Sequence, residues 1–352
     1  MVSPPTGIPV VRPLETLSFQ AFVAEFPPQD DTFEASLWRL ASALFDPIPS
    51  DVSTEVDDQK AVWISDLRRK MKIGDWLQGA VAHSVENVML DGSTTPIAQV
   101  FSLLSGNQVQ RAAEVAMDAG DFHLATLIAQ IGGDKLFRET MFQQWMTWVN
   151  EGADVFMDEE YKKVYALLAG EATRGVGSKS KDPFLKVQDV DITKDMDWKR
   201  VFALVFWYSC RVEDPASTAV EYYNETTAKE LDGSGQALKL FNPAPWYIQG
   251  VTDDWGNEGD GLLHLLRLFQ NPDYSFADTL SPRSYNPQKL DYRIPWQLYA
   301  VLSTLKLQDP AESKELRMLG DKLTVAYSMQ LENEESIDSA AFVLLHLNDD
   351  MW

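Results

Sequence analysis

Apolar side chains recur three and four residues apart along most of this chain, the spacing that lines one face of an α-helix. Leu14, Leu17, Phe22 and Phe26 set the rhythm until Pro27-Pro28 interrupts it. Leu37, Leu40, Ala41 and Leu44 resume it as far as Asp46-Pro47. Between Val56 and Leu90 the series runs through Val62, Ile64, Leu67 and Met71, then Trp76, Leu77, Ala80 and Val81, with Gly74 as the expected break. Thr95-Pro96 reads as an N-cap followed by proline at the first helical position, where the missing N–H costs nothing. Gly106, Gly120, Gly132 and Gly170 stand where helices should end in a left-handed residue. Asp121 and Asp134 then accept the free N–H groups of the helices that follow. Ala112, Ala116 and Ala119 face Leu124, Ala125 and Ile128, and such small side chains predict a close helical hairpin over Gln108 to Ile131. Asp309-Pro310-Ala311-Glu312 has capping-box spacing and predicts a helix running towards Glu332. Period-2 strands are scarce, so the fold class is all-α, with roughly 15–20 helices at mean helix and loop lengths.

Two stretches depart from this rhythm. Gly170 to Lys194 holds Arg174, Lys179, Lys181, Lys186 and Lys194 among several glycines and reads as a long, exposed, flexible loop. Leu231 to Asp260, rich in Gly, Pro and Asp, reads as another. Gly-Asp junctions recur at Gly120-Asp121, Gly133-Asp134 and Gly320-Asp321 without a fixed period, which predicts stacked helix pairs of unequal length.

Composition narrows the functional classes. The 352 residues are 45% apolar, with 11 Trp, 17 Phe and 11 Tyr, enough for an extensive core. Thirty Lys and Arg against 53 Asp and Glu give a net charge of −23, which repels phosphate backbones and argues against direct nucleic-acid binding. The longest apolar run, Val201 to Tyr208, falls short of the ~20 residues of a membrane span, so no membrane insertion is expected. Met1 to Pro5 lack the basic-then-apolar start of a secretory signal, and the single Cys210 suits a reducing compartment. The expectation is an acidic intracellular protein.

The chain shows no catalytic constellation. His83, His123, His264 and His346 share no i, i+4 spacing and no HExxH, and one cysteine makes no thiolate cluster, so no metal site is expected. Gly175-Val176-Gly177-Ser178-Lys179-Ser180 echoes a phosphate loop, but Lys179 follows Ser178 rather than glycine, and a helix precedes it. Asp253, Asp254, Asn257, Glu258 and Asp260 form an acidic cluster in which Trp255 and Gly256 fall at ligand positions of a calcium loop. Catalytic residues, cofactor-binding residues and metal ligands are therefore assigned to none of these positions. The distinctive feature is a helix from Asp134 to Asn150. Phe137, Met141, Trp145 and Trp148 share one face; Phe142, Met146 and Val149 occupy an adjacent one. One face suffices for the core, so Phe142, Met146 and Val149 are the candidate protein-interface residues.

Several separated motifs resemble one family in order. Leu103-Leu104-Ser105-Gly106, Ala112, Ala116, Gly120-Asp121, Leu124-Ala125, Leu127-Ile128-Ala129-Gln130 and Gly132-Gly133 come first. Tyr165-Ala166-Leu167-Leu168-Ala169-Gly170 and Asp197-Trp198-Lys199-Arg200 follow. Leu280-Ser281-Pro282-Arg283-Ser284, Leu290-Asp291-Tyr292-Arg293 with Trp296, and Phe342-Val343-Leu344-Leu345-His346 complete the set. Together they resemble nucleoporin 96 (nucleoporin 145C in fungi), a helical member of the Y-shaped coat complex of the nuclear pore. The resemblance implies the ancestral-coatomer-element fold, an elongated irregular α-solenoid in which the chain climbs a trunk, turns in a crown and returns. It places an extended lead-in at 1–13 and a single helical domain at 14–352, with the crown at roughly 95–200 and the trunk at roughly 14–94 and 201–352. It also implies a scaffold nucleoporin supporting nucleocytoplasmic transport at the nuclear envelope, with no enzymatic activity and no cofactor. Its partners would be a neighbouring stalk nucleoporin through the crown, hub nucleoporins of the Y, and a β-propeller. Met1 to Pro13 is too short and too proline-rich to supply the propeller's missing blade. The tail helices should begin where the chain stops at Trp352, so the chain reads as a trimmed piece. From the pattern alone the other candidate class is a helical-repeat adaptor holding peptide segments in a concave groove.

Overall fold

A computed structural model describes residues 11–14, 16–48, 58–131, 135–180, 182–228, 230–231, 237–248, 258–305 and 313–347. Among them are fifteen α-helices and four strands of two or three residues, so the fold is all-α. The residues form two units: 1–49 joined by 238–352, and 50–237. The chain thus begins in one unit, builds the other, and returns.

The first unit opens with α1 (Phe19–Val23) and α2 (Phe33–Phe45). Thr32 caps α2 by accepting the N–H of Ala35 at 3.3 Å. Leu37, Leu40, Ala41 and Leu44 are all buried, as their spacing predicts. Asp46 ends α2 and turns its carboxylate back to α1, accepting the N–H groups of Phe19 at 2.9 Å and Gln20 at 2.8 Å. One side chain thereby stops one helix and caps another.

The second unit runs α3 (Asp58–Leu90), α4 (Pro96–Ser105), α5 (Val109–Asp118), α6 (Phe122–Ile128), α7 (Lys135–Glu151), α8 (Glu159–Leu168), α9 (Trp198–Leu204) and α10 (Thr218–Thr227). Gly74 does not break α3, which is continuous through it. Its bare Cα instead lies beneath Phe206 and Trp207, whose rings stand 3.7 Å from where a Cβ would sit. Thr95 caps α4 with Pro96 in the first turn, as the sequence predicts. Gly120 and Gly170 adopt the left-handed conformation, whereas Gly106 does not; Asn107 takes that role at φ 56°. Gly132 and Asp134 lie outside the described residues. After α9 the backbone widens into a π-turn over Val205–Ser209. That turn lets Tyr208 donate its hydroxyl to the Leu104 carbonyl at the end of α4, at 2.8 Å. Burial raises the Tyr208 phenol far above its usual range.

The returning chain completes the first unit with α11 (Gly261–Gln270), α12 (Phe276–Thr279), α13 (Arg293–Leu302), α14 (Ser313–Asn333) and α15 (Ile337–Leu344). Asp260 caps α11 at the Leu262 N–H, 2.9 Å. α11 is buried from Gly261 to Leu268 and packs on α2. Each leucine so removed from water contributes about 1.5–3 kcal/mol. Arg293, opening α13, grips Glu34 of α2 with two hydrogen bonds of 2.7 and 2.6 Å. The capping box predicted at 309–312 lies outside the described residues.

Candidate interaction surface

The predicted hairpin is the pair α5 and α6. Ala112 and Ala116 are buried, as are Leu124, Ala125 and Ile128 of the other helix, whereas Ala119, predicted in the same stripe, is exposed past the end of α5. Asp121 caps α6 by accepting the Leu124 N–H at 3.0 Å, and its second oxygen accepts the hydroxyl of Tyr161 from α8 at 3.1 Å. α8 in turn packs on α4 and α7, with Trp148 standing edge-on to Tyr165 at 5.0 Å between centroids.

On α7 the buried residues are Met141, Trp145 and Val149, each four positions from the last. This corrects the sequence reading of Val149, which is 5% exposed and belongs to the core stripe. The reason is the helical repeat: at ~3.6 residues per turn, positions 141, 145 and 149 drift by only ~40° each and stay on one side. Phe142 is 40% exposed and Met146 half-buried, so these two flank the stripe as the sequence predicts. Pattern reading missed Leu136 on the far side of α7, 66% exposed, and Phe122 at the start of α6, 69% exposed. A lone apolar residue among polar ones carries no periodic signal.

The described residues of 171–194 form more regular structure than the expected flexible loop. β1 (Arg174–Gly175) pairs antiparallel with β2 (Val190–Asp191), and Ala172, Val190 and Ile192 are buried. Asp189 holds the hairpin together. Its carboxylate takes Lys179 at 2.5 Å, the Gly177 N–H at 3.0 Å and Arg174 at 2.6 Å. The Lys179 hydrogen bond, then the Gly177 N–H and the Arg174 charge, hold its carboxyl down at about 2. Ser178 N–H donates to the buried Asp154 at 2.9 Å. Two amides of the phosphate-loop-like stretch, those of Gly177 and Ser178, are thus occupied by the chain's own carboxylates.

The remaining chemical candidates sit in structural roles. His264 is buried, its Nδ1 2.7 Å from the Tyr274 hydroxyl; burial and the Arg267 charge push its pKa down to about 3. Cys210 is buried, which pushes its thiol up to about 11. From the acidic cluster, Glu258 pairs with Arg283 and Asp260 caps α11; Asp253, Asp254 and Asn257 lie outside the described residues. Among the described residues no group of His, Cys, Asp and Glu could hold a metal ion. None of their helices is long and apolar enough to cross a membrane.

The family model of nuclear protein 96 (Nup96) matches residues 98–351. The chain belongs to the Nup96 family. It is 27% identical to nucleoporin nup189 of Schizosaccharomyces pombe over 90% of its own length and 17% of that protein. The corresponding figures are 25%, 90% and 15% for nuclear pore complex protein Nup98-Nup96 of Drosophila melanogaster. They are 26%, 80% and 25% for nuclear pore complex protein NUP96 of Arabidopsis thaliana. The chain therefore spans a quarter or less of these relatives. As a Nup96-family nucleoporin its location is the nuclear pore. Of the motifs that carry the likeness, Leu103, Leu104, Ser105, Ala112, Ala116, Leu124, Ala125 and Tyr165 to Leu168 are buried, whereas Gly120, Ala129, Gln130, Asp197, Leu290 and Phe342 are exposed. Phe142, Met146 and Leu136 lie outside those motifs.

Proposed function

We propose that this chain is a structural element of the nuclear pore's Y-shaped coat. Its work is to hold neighbouring nucleoporins in place through protein–protein contacts, and so to support nucleocytoplasmic transport without a catalytic step or a cofactor. The observation that carries this reading is on α7: Phe142 and Met146 stand beside a core stripe that Met141, Trp145 and Val149 already complete. Aromatic and methionine side chains left outside a finished core are the usual anchors of an interface. α7 falls within the crown proposed at roughly 95–200, which is where a neighbouring stalk nucleoporin would dock. Hub nucleoporins and a β-propeller are the further partners proposed for the longer protein.

The experiment is a binding assay with the purified stalk neighbour. Phe142→Asp or Met146→Asp is expected to abolish binding while the far-ultraviolet circular dichroism and the melting transition stay those of the parent. Unfolding of either variant would assign these residues to the core instead. Retained affinity would move the interface away from α7.

A further inference from the structure

α15 is apolar on both sides, and the fold covers one of them. Ala340 and Val343 are buried in a small core with Leu331 of α14, against which Trp296 and Tyr327 pack. On the other side Ile337 is 70% and Phe342 53% exposed, with Ala341 exposed as well. At ~100° per residue these three share an arc of ~140° that points away from Ala340 and Val343. A surface helix needs one apolar stripe, whereas a helix apolar all round is one that is covered all round.

The ground around this face carries one sign of charge. From Leu323 to Trp352 the sequence holds Glu332, Glu334, Glu335, Asp338, Asp349 and Asp350 and no Lys or Arg. Glu332 to Ser339 are all exposed. The elements alongside do not cancel these acids. Gln330 ties Asp291 of the preceding loop to α14 and donates to Glu334 at 3.1 Å, which adds an acid and brings no cation. Arg293 is taken by Glu34. Lys322 stands ten residues before Glu332, about 15 Å of helix and beyond a screening length of ~8 Å. Burial lowers the pKa of His346, so it stays neutral. Lys289 of that loop and Arg12, beside the Val11 N–H that meets the Leu345 carbonyl, stand against Asp291, Glu332, Glu334, Glu335 and Asp338. The positive end of the α15 dipole offsets about half a charge. The face keeps a net negative rim.

We infer that the outer face of α15 is a second docking surface, for a basic segment of a protein partner. Apolar side chains of that segment lie on Ile337, Ala341 and Phe342, and its Lys or Arg residues meet Glu334, Glu335 and Asp338. Charge complementarity selects this occupant. An anionic bilayer and a nucleic acid are repelled by the rim, and a second copy of the chain would bring a net −23 of its own. A basic protein segment gains from both the rim and the apolar face. The inference rests on the reading that the chain works by docking its neighbours, and it adds a site in the other unit from α7.

The test uses the whole chain and two combined variants: Ile337→Ser with Phe342→Ser, and Glu334→Gln with Glu335→Gln and Asp338→Asn. All five positions are exposed, and the second set keeps the side-chain shapes, so circular dichroism and the melting transition should stay those of the parent. Binding to each purified subunit of the pore coat is measured in turn by calorimetry, at low and at physiological salt. At least one subunit is expected to bind the parent, more weakly as salt rises, and to bind both variants about tenfold or more weakly, the charge variant without the salt dependence. The inference is overturned if no subunit behaves so, or if the charge variant binds as the parent does. It is equally overturned if the variants instead lose a dimer that the parent shows in sedimentation velocity, which would assign the face to a second copy. Phe142→Asp leaves this interaction intact. Loss of binding in Phe142→Asp with parental binding in the α15 variants would sink this surface and spare α7; the reverse would sink α7 and spare this one.

Discussion

Asp121 shows how much one side chain can carry and how little of that is local. Its N-cap bond to Leu124 is readable from a Gly-Asp junction ahead of an apolar run, because caps act within one turn. Its bond from Tyr161, forty residues on, has no sequence signature, since it depends on α8 packing back beside α6. Asp121→Ala is therefore expected to cost about 1–2 kcal/mol in urea unfolding, and Tyr161→Phe less. The double variant should cost less than the sum of the two, because both singles remove the same contact. Gly170 makes a different residue-scale demand. Its φ of 88° is strained for any residue with a Cβ, and a Cβ there would also press on the side chain of Arg138. Gly170→Ala should lower stability by about 1–2 kcal/mol, read from the same unfolding curves. Glycines at helix ends were legible as a class. Which of them is left-handed was not: Gly106 hands that conformation to Asn107.

Among the elements, the helices were legible because a buried stripe repeats, and the errors arose where two repeats compete. Val149 reads equally well with Phe142 and Met146 or with Met141 and Trp145, and only its burial in the fold decides for the latter. Gly74 reads as a breaker by propensity, but the ~1 kcal/mol a glycine costs a helix is outweighed when aromatic rings pack on it. The hairpin at 171–194 was illegible for another reason: it is held by Asp189 and Asp154 through backbone amides rather than by a hydrophobic period. That origin makes it pH-sensitive. Asp189 titrates at about 2 in the folded chain against an ordinary 3.8, so its contribution is fully present above pH ~4 and is lost as pH falls through 2. Acidification across that window should release protection of the Gly177 amide in hydrogen exchange, after correction for the intrinsic rate. Asp189→Asn should show the released state already at neutral pH.

For the molecule as a whole, the sequence disclosed the all-α class, the acidic charge and the family, since each is spread over hundreds of positions. It did not disclose the division into two units, which is a matter of which helices meet. Stability at this scale follows His264 of the first unit. Its folded pKa of about 3 lies below the ordinary 6.5, so the unfolded chain takes up the proton first. The stability it contributes is complete above pH 6.5 and declines as pH falls towards 3, visible as a falling urea midpoint between pH 7 and pH 5. His264→Gln should flatten that slope. The excursion of residues 50–237 out of and back into the first unit bears on how the protein is made. On the ribosome, Leu37, Leu40 and Leu44 of α2 emerge before 50–237, but α11, which packs on α2, is translated only after that entire unit. Nascent chains of this protein must keep a greasy helix from aggregating while the whole of 50–237 is made, which makes that helix the natural foothold for a ribosome-associated chaperone.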